Sequence, residues 1–147
     1  MLFFEQSQKV HKYQNKMNPS SYDIKDMLEA ESSLGLVFNQ NLFIGLELEV
    51  PHNVVTIFDT TSAPPMLTYQ QGENYFFDGI QIRVRNKDYG AGYLFAHQIM
   101  LSLHGRGQET WNGTLYSAII CSSGPAHLDW DSNKRARFII NFEIQRR

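Results

Sequence analysis

Residues 78–93 read DGIQIRVRNKDYGAGY, and no other stretch limits the fold as tightly. Ile80, Ile82 and Val84 alternate with Gln81, Arg83 and Arg85. A period of two puts the aliphatic side chains on one face of a strand and the polar ones on the other. The alternation stops at Asn86-Lys87-Asp88, and from Tyr89 the apolar residues fall at helical spacing. The pattern predicts a strand over 79–85 and a helix over roughly 88–104. Asp88 is expected to cap that helix or lie in its first turn. Its apolar stripe runs through Tyr89, Tyr93, Ala96, Ile99 or Met100, and Leu103, and Gly105 supplies the stop. Two readings explain so tight a turn beside two arginines: a phosphate site or a subunit surface.

The rest of the chain supplies the layer around this unit. ARFIINFEIQ at 136–145 alternates, with Ala136, Phe138, Ile140, Phe142 and Ile144 inward and Arg137, Ile139, Asn141, Glu143 and Gln145 outward. GTLYSAIICS at 113–122 reads as a strand after an Asn112-Gly113 turn. About a dozen residues join these last two strands, long for a plain hairpin. YDIKDMLEAESSLG at 22–35 reads as a helix with Ser20 or Ser21 as N-cap, Asp23 in the first turn and Gly35 as the stop. In NLFIGLELEV at 41–50, Phe43, Gly45, Glu47 and Glu49 face away from Leu42, Ile44, Leu46, Leu48 and Val50, a strand or strand-like loop ended by Pro51. NVVTIFDTTSAPP at 53–65 is a second strand, and MLTYQQGENYFF at 66–77 a short hairpin or loop. The expected fold is α+β: one mixed, mainly antiparallel sheet with two helices packed on one face. Residues 1–20 read as an N-terminal arm, with Phe3 and Phe4 at its tip and Lys9, Lys12 and Lys16 along it. Residues 21–147 form a single domain.

The chain has 147 residues, 42% of them apolar, enough for one domain with a real core. The formal net charge of −2 argues against a general nucleic-acid binder. Residues 1–77 hold nine acids and four bases, whereas residues 78–147 hold six acids and nine bases. Such a split suits identical subunits meeting acid against base, and equally suits a solvated face. Cys121 is the single cysteine, which fits a reducing compartment and reads as a buried filler. No apolar run reaches the roughly 18 residues of a membrane span. The opening MLFFEQSQKV lacks a basic region and a cleavage pattern, so no signal peptide is expected.

Chemistry-bearing patterns are weak. His97 and His104 are seven apart on one helix, not the three or four a metal pair needs, and no metal or cofactor is expected. Asp59, Asp78, Asp129 and Asp131 would have to cluster near Lys87 or Lys134 to make a small metal-dependent nuclease. Asp129-Trp130-Asp131-Ser132-Asn133 reads more simply as an Asx-rich turn. Ser122-Ser123-Gly124-Pro125 lacks the flanking glycines of a nucleophile elbow. Gly90-x-Gly92 has Phe95 where a dinucleotide fingerprint needs its third glycine, so the phosphate reading of 86–92 falls. Arg83, Arg85, Arg137 and Tyr116 suggest a basic, aromatic sheet face, which serves either single-stranded nucleic acid or an oligomer contact. The overall acidity favours the contact.

The run 79–146, with its Ile-Gln-Ile-x-Val-Arg strand, Asp-Tyr turn, alanine-spaced helix, Asn-Gly turn and closing Phe-x-x-Asn-Phe strand, resembles the tail terminator or minor capsid proteins of long-tailed bacteriophages. The resemblance spans about 22–147. It implies a structural virion protein without catalytic activity. Such a protein caps the tail tube as a ring, often six-fold, stops tube polymerisation and offers a head-joining surface at the virion neck after assembly in host cytoplasm. Its partners would be itself, the tail tube protein and a head-completion or connector protein, with genome DNA passing through the lumen without sequence-specific contact and no membrane. The matched positions are Arg83, Arg85, Asp88, Tyr89, Asn112-Gly113, Arg135 or Arg137, and Asn141-Phe142. Of these, Arg83, Arg85, Asp88, Tyr89 and Arg137, with Phe3 and Phe4 of the arm, are the expected subunit or tail-tube contacts. The alternatives are the small nuclease and a head-closure or adaptor protein of the same neck.

Overall fold

The computed structural model describes residues 17–66 and 75–147. In chain order it contains helix α1 (Ser20–Ala30), a 3-10 turn (Ser32–Leu34) and strands β1 (Leu42–Ile44), β2 (Val54–Thr60) and β3 (Phe76–Asn86). Helix α2 (Tyr89–Leu103) and strands β4 (Glu109–Trp111), β5 (Thr114–Trp130) and β6 (Ala136–Arg146) complete it. The six strands form one sheet in the order β1-β2-β3-β6-β5-β4. β1 runs parallel to β2, and the other neighbours are antiparallel. The fold is therefore α+β, with the mixed, mainly antiparallel sheet that the alternation predicts.

The core lies between one face of this sheet and the two helices. Ile80, Ile82 and Val84 of β3 and Phe138, Ile140, Phe142 and Ile144 of β6 are buried there, together with Val55 and Ile57 of β2. α1 contributes Ile24, Met27 and Leu28, and α2 contributes Ala96, Ile99 and Leu103. Each such aliphatic side chain stabilises the fold by about 1.5–3 kcal/mol on burial. Gly92 lets α2 settle this closely: a Cβ there would lie 2.8 Å from both Phe138 and the Asn86 Cβ. Asp88 caps α2 as expected, its carboxylate accepting from the Ala91 amide at 2.9 Å.

Three readings need correction. The N-terminal residue of α1 is capped by neither Ser20 nor Ser21; Pro19 holds that position. Both serines lie inside the helix, where their hydroxyls donate to Asp78 and Asp59. Asp59 also accepts from the Ser21 amide at 3.0 Å, so a carboxylate from β2 satisfies the buried helix end from outside the helix. α1 ends at Ala30, and Gly35 instead closes the 3-10 turn. The segment joining the last two strands is short: β5 continues through Gly124-Pro125 to Trp130, and only residues 131–135 turn it into β6. Register shifts between Ser123 and Ala126 absorb the break in pattern. Gly124 sits there at φ +92°, with Ile139 O only 2.5 Å from where a Cβ would stand. Of the two readings of 41–50, the strand holds only as far as Ile44, where β1 stops, and residues 45–53 form a loop. β4 was not foreseen; the Asn112-Gly113 turn joins it to β5, both residues at positive φ.

Candidate functional site

Strands β3 and β6 carry polar residues on the face away from the helices, as their alternation requires. At one end of this face Arg85 and Arg137 are register partners, and Arg137 also faces Asp129 of β5. The 45–53 loop folds down over them. Glu47 accepts from Arg137 Nη1 at 2.8 Å, and its other oxygen is buried 3.9 Å from Arg85. Arg85 donates to the carbonyls of Pro51 and His52 at 2.7 and 3.1 Å. Arg135, just before β6, donates to Asp131 at 2.7 Å, to the Glu49 carbonyl at 2.7 Å and to the Glu49 carboxylate at 2.8 Å. Arg137 grips Asp129 with two nitrogens at 2.6 and 2.7 Å. Three arginines and four acids thus close a lattice between loop, sheet and the 131–135 turn.

The charges are not equally comfortable. Burial, with Arg135 close by, lowers the Arg85 pKa from its usual value despite Glu47 and Asp131. Burial would lower Arg135 too, but the bonds from Asp131 and Glu49 outweigh it and raise the pKa. The bonds from Asp129 lead in raising Arg137. Asp129 falls below the usual carboxylate range chiefly through Arg137. Burial pushes Asp131 up, yet the amide and guanidinium of Arg135 carry it below that range.

The candidate contact residues therefore separate. Arg83 remains half-exposed, its guanidinium 4.7 Å over the Phe58 ring and bonded to Gln81 at 2.9 Å. Arg85 does not face outward: its side chain is only 2% exposed, and its acid neighbours come from the loop and the turn, not from a helix. Arg137 is half-buried in the lattice. Asp88 is exposed and acts as the cap. Tyr89 is exposed and packs on Trp130, His127 and Phe138 with ring centroids 5.9, 5.3 and 5.0 Å away. Phe3 and Phe4 lie outside the described residues.

The four aspartates of the nuclease reading do not cluster. Asp59 and Asp78 hold the serines of α1, and Arg146 donates to Asp78 at 2.5 Å. Asp129 and Asp131 lie towards the other end of the sheet, in the lattice with Arg137 and Arg135. Behind Arg146, the buried Asp23 accepts from Tyr116 and from Asn112, and burial foremost, then Asp23, raises the Tyr116 pKa. Among the described residues no three His, Cys, Asp or Glu side chains are placed to hold a metal ion. His97 stacks on Tyr93, while His104 ends α2 and accepts from the Cys121 amide at 2.9 Å. No helix among the described residues is long and apolar enough to cross a membrane. The helix-free face also has an open concavity of about 560 Å³, bordered by Phe77, Ile120, Ser122, Asn141 and Glu143.

Two exposed apolar surfaces escaped the sequence reading. The loop alternation is inverted: Glu47 points in, whereas Leu46 and Val50 are 66% and 77% exposed and Leu48 lies between them, also exposed. The outer side of α2 carries Leu94 and Leu101, both 62% exposed, with Tyr93 beside them. Residues 89–103 contain no Asp, Glu, Lys or Arg, an unusual composition for a helix with one side in water. That absence was visible in the sequence.

The features that the described geometry sets apart are the arginine–carboxylate lattice and the two exposed apolar surfaces. No curated protein matches the sequence. A family model described as "Bacteriophage tail terminator protein" matches residues 17–147, which takes in the sheet, both helices, the lattice and both exposed surfaces. This chain belongs to the bacteriophage tail terminator protein family, a structural component of the phage tail.

Proposed function

We propose that this protein caps the end of the tail tube as a ring of identical subunits, of which six is the expected number. The ring stops tube polymerisation and presents the surface to which the head-completion or connector protein joins. It sits at the neck of the virion, with the genome passing through its lumen, and assembles in the host cytoplasm. The partners are other copies of the chain, the tail tube protein and the connector. The protein works by docking, not by catalysis. Family membership supports the tail-end role, and one observation carries the assembly reading: α2 presents Tyr93, Leu94 and Leu101 to solvent on a helix with no ionic side chain. Exposed apolar surface of this kind marks protein contacts. Arg83 and Tyr89, both accessible, are proposed as flanking contacts, and the arm with Phe3 and Phe4 as a further one.

The test is a phage lacking this gene product, complemented with either the wild-type chain or Leu94→Asp with Leu101→Asp. Electron microscopy should show tails of normal length with heads attached in the first case. Without the protein, or with the double variant, tails should be overlong and headless. Tails of normal length in its complete absence would refute the terminator role.

A further inference from the structure

The exposed side chains of Leu46, Leu48 and Val50 form a ridge whose position is fixed from beneath. The acids that alternate with them are pinned to Arg85, Arg135 and Arg137, so the loop cannot turn its leucines inward without breaking that lattice. Two almost fully buried guanidiniums hold a loop that exposes Leu46, Leu48 and Val50, with Glu49 ion-paired beside them. Desolvating arginines is costly, and a solvent-facing loop has no need of such an arrangement.

We infer that this ridge docks on the uncharged outer side of α2 of the next copy, so that subunits join head to tail. The inference rests on the self-assembling cap proposed above and assigns the two surfaces that meet. Three observations select a second copy as the occupant. First, the surfaces lie on opposite sides of the sheet: the ridge covers the arginines of the helix-free face, while α2 lies on the core face. A subunit can therefore give one and receive the other. Second, the two match in charge. The ridge side chains are aliphatic, Glu47 is paired beneath them, the exposed Glu49 is neutralised by Arg135, and α2 has no Asp, Glu, Lys or Arg. Third, pairing the ridge with itself would leave α2 bare, and the reverse pairing would leave the ridge bare; only the head-to-tail contact covers both. Such heterologous contacts close into rings when the rotation permits. The three ridge residues form the centre of the contact and not its extent, since a stable interface takes about 800 Å² per partner.

Cysteine cross-linking tests this directly. In a Cys121→Ser background, Val50→Cys and Leu101→Cys are made separately, mixed at high protein concentration and treated with a short bis-maleimide. The mixture should give a dimer with one copy of each, on the order of tenfold more than a mixture in which Thr61→Cys, exposed beyond the far end of β2, replaces Val50→Cys. Each variant alone should give no more than that control. Overturning results are a mixture no better than the control, or Val50→Cys linking to itself as well as to Leu101→Cys, which would mean a two-fold contact. The tail-length assay is independent: normal termination without this cross-link removes the docking inference and leaves the terminator role intact.

Discussion

Arg135→Met should be the most damaging single change in the lattice, and the reason separates it from its neighbour Arg85. Both side chains are 2% exposed. Methionine keeps roughly the length of the stem and removes the charge. At Arg135 the change takes the bonded guanidinium from the Asp131 carboxylate, itself 10% exposed, leaving it two backbone amides and Arg85 at 4.0 Å, and breaks two bonds to Glu49. Removing one partner of a buried pair typically costs about 3–5 kcal/mol, because the other charge stays buried. At Arg85 the losses are two backbone carbonyl acceptors, while Glu47 and Asp131 retain Arg137 and Arg135. Removal also relieves the burial and the Arg135 repulsion that lower the Arg85 pKa. Arg85→Met should therefore cost about 1–2 kcal/mol. Urea unfolding at neutral pH measures both, read as midpoint shifts at unchanged slope. With total stability of about 5–15 kcal/mol, Arg135→Met should remove a large share of it. Glu49→Gln is the control: its side chain is 72% exposed, and the change should stay within about 1 kcal/mol. Arg135→Met costing less than Arg85→Met would refute this account of the lattice.

Gly92→Ala should destabilise by about 1–3 kcal/mol, since the added methyl meets Phe138 and Asn86 at 2.8 Å; Gly90→Ala, where it meets only the Asp88 carboxylate at an ordinary 3.8 Å, should not, and thermal melts of the pair check this. Below pH 4, stability should fall: Asp129 and Asp131 have folded pKa values below the unfolded carboxylate, so their contribution is full above that value and is lost as pH drops through the lowered ones. Acid unfolding of Asp129→Asn beside wild type measures that loss, which should be smaller in the variant. At the other extreme the Tyr116 pKa is raised, so its contribution is full below the unfolded value of about 10 and is lost as pH climbs through the folded one. Tyr116→Phe should flatten the alkaline limb of the stability curve, and an unchanged limb would exclude Tyr116 as its source.

The parts of the fold that were legible are those where one face of an element is buried. β3 and β6 alternate because the helices cover one side only, and the inward sets predicted for both strands are buried. α2 was legible from its cap and from Gly105, because Asp88 bonds within its own turn. Elements positioned by distant partners were not. Ser20 and Ser21 have the composition of an N-cap, but their acceptors are Asp78 and Asp59, which tertiary structure alone brings near. β5 runs past Gly124-Pro125 because a bulge absorbs them against β6, which no local pattern announces.

Residues 45–50 show why the candidate site was harder to read than the fold. Period-two alternation reports two faces without saying which is buried. The default assignment puts leucines in and glutamates out, and it fails when the buried side is itself ionic. Three arginines on or beside β3 and β6 create such a side, and Glu47 follows the charge inward while Glu49 meets Arg135 from the surface. Arg85 could not be told from Arg83 for the same reason: both occupy the polar face, and only the loop, closing over one end of it, separates a buried guanidinium from a half-exposed one. An apolar surface displayed by burying charge beneath it costs stability in the isolated subunit. Within the single chain the bonds of Arg135 and Arg137 to Asp131, Glu49, Asp129 and Glu47 offset that cost, and covering the ridge in the proposed assembly would add to them.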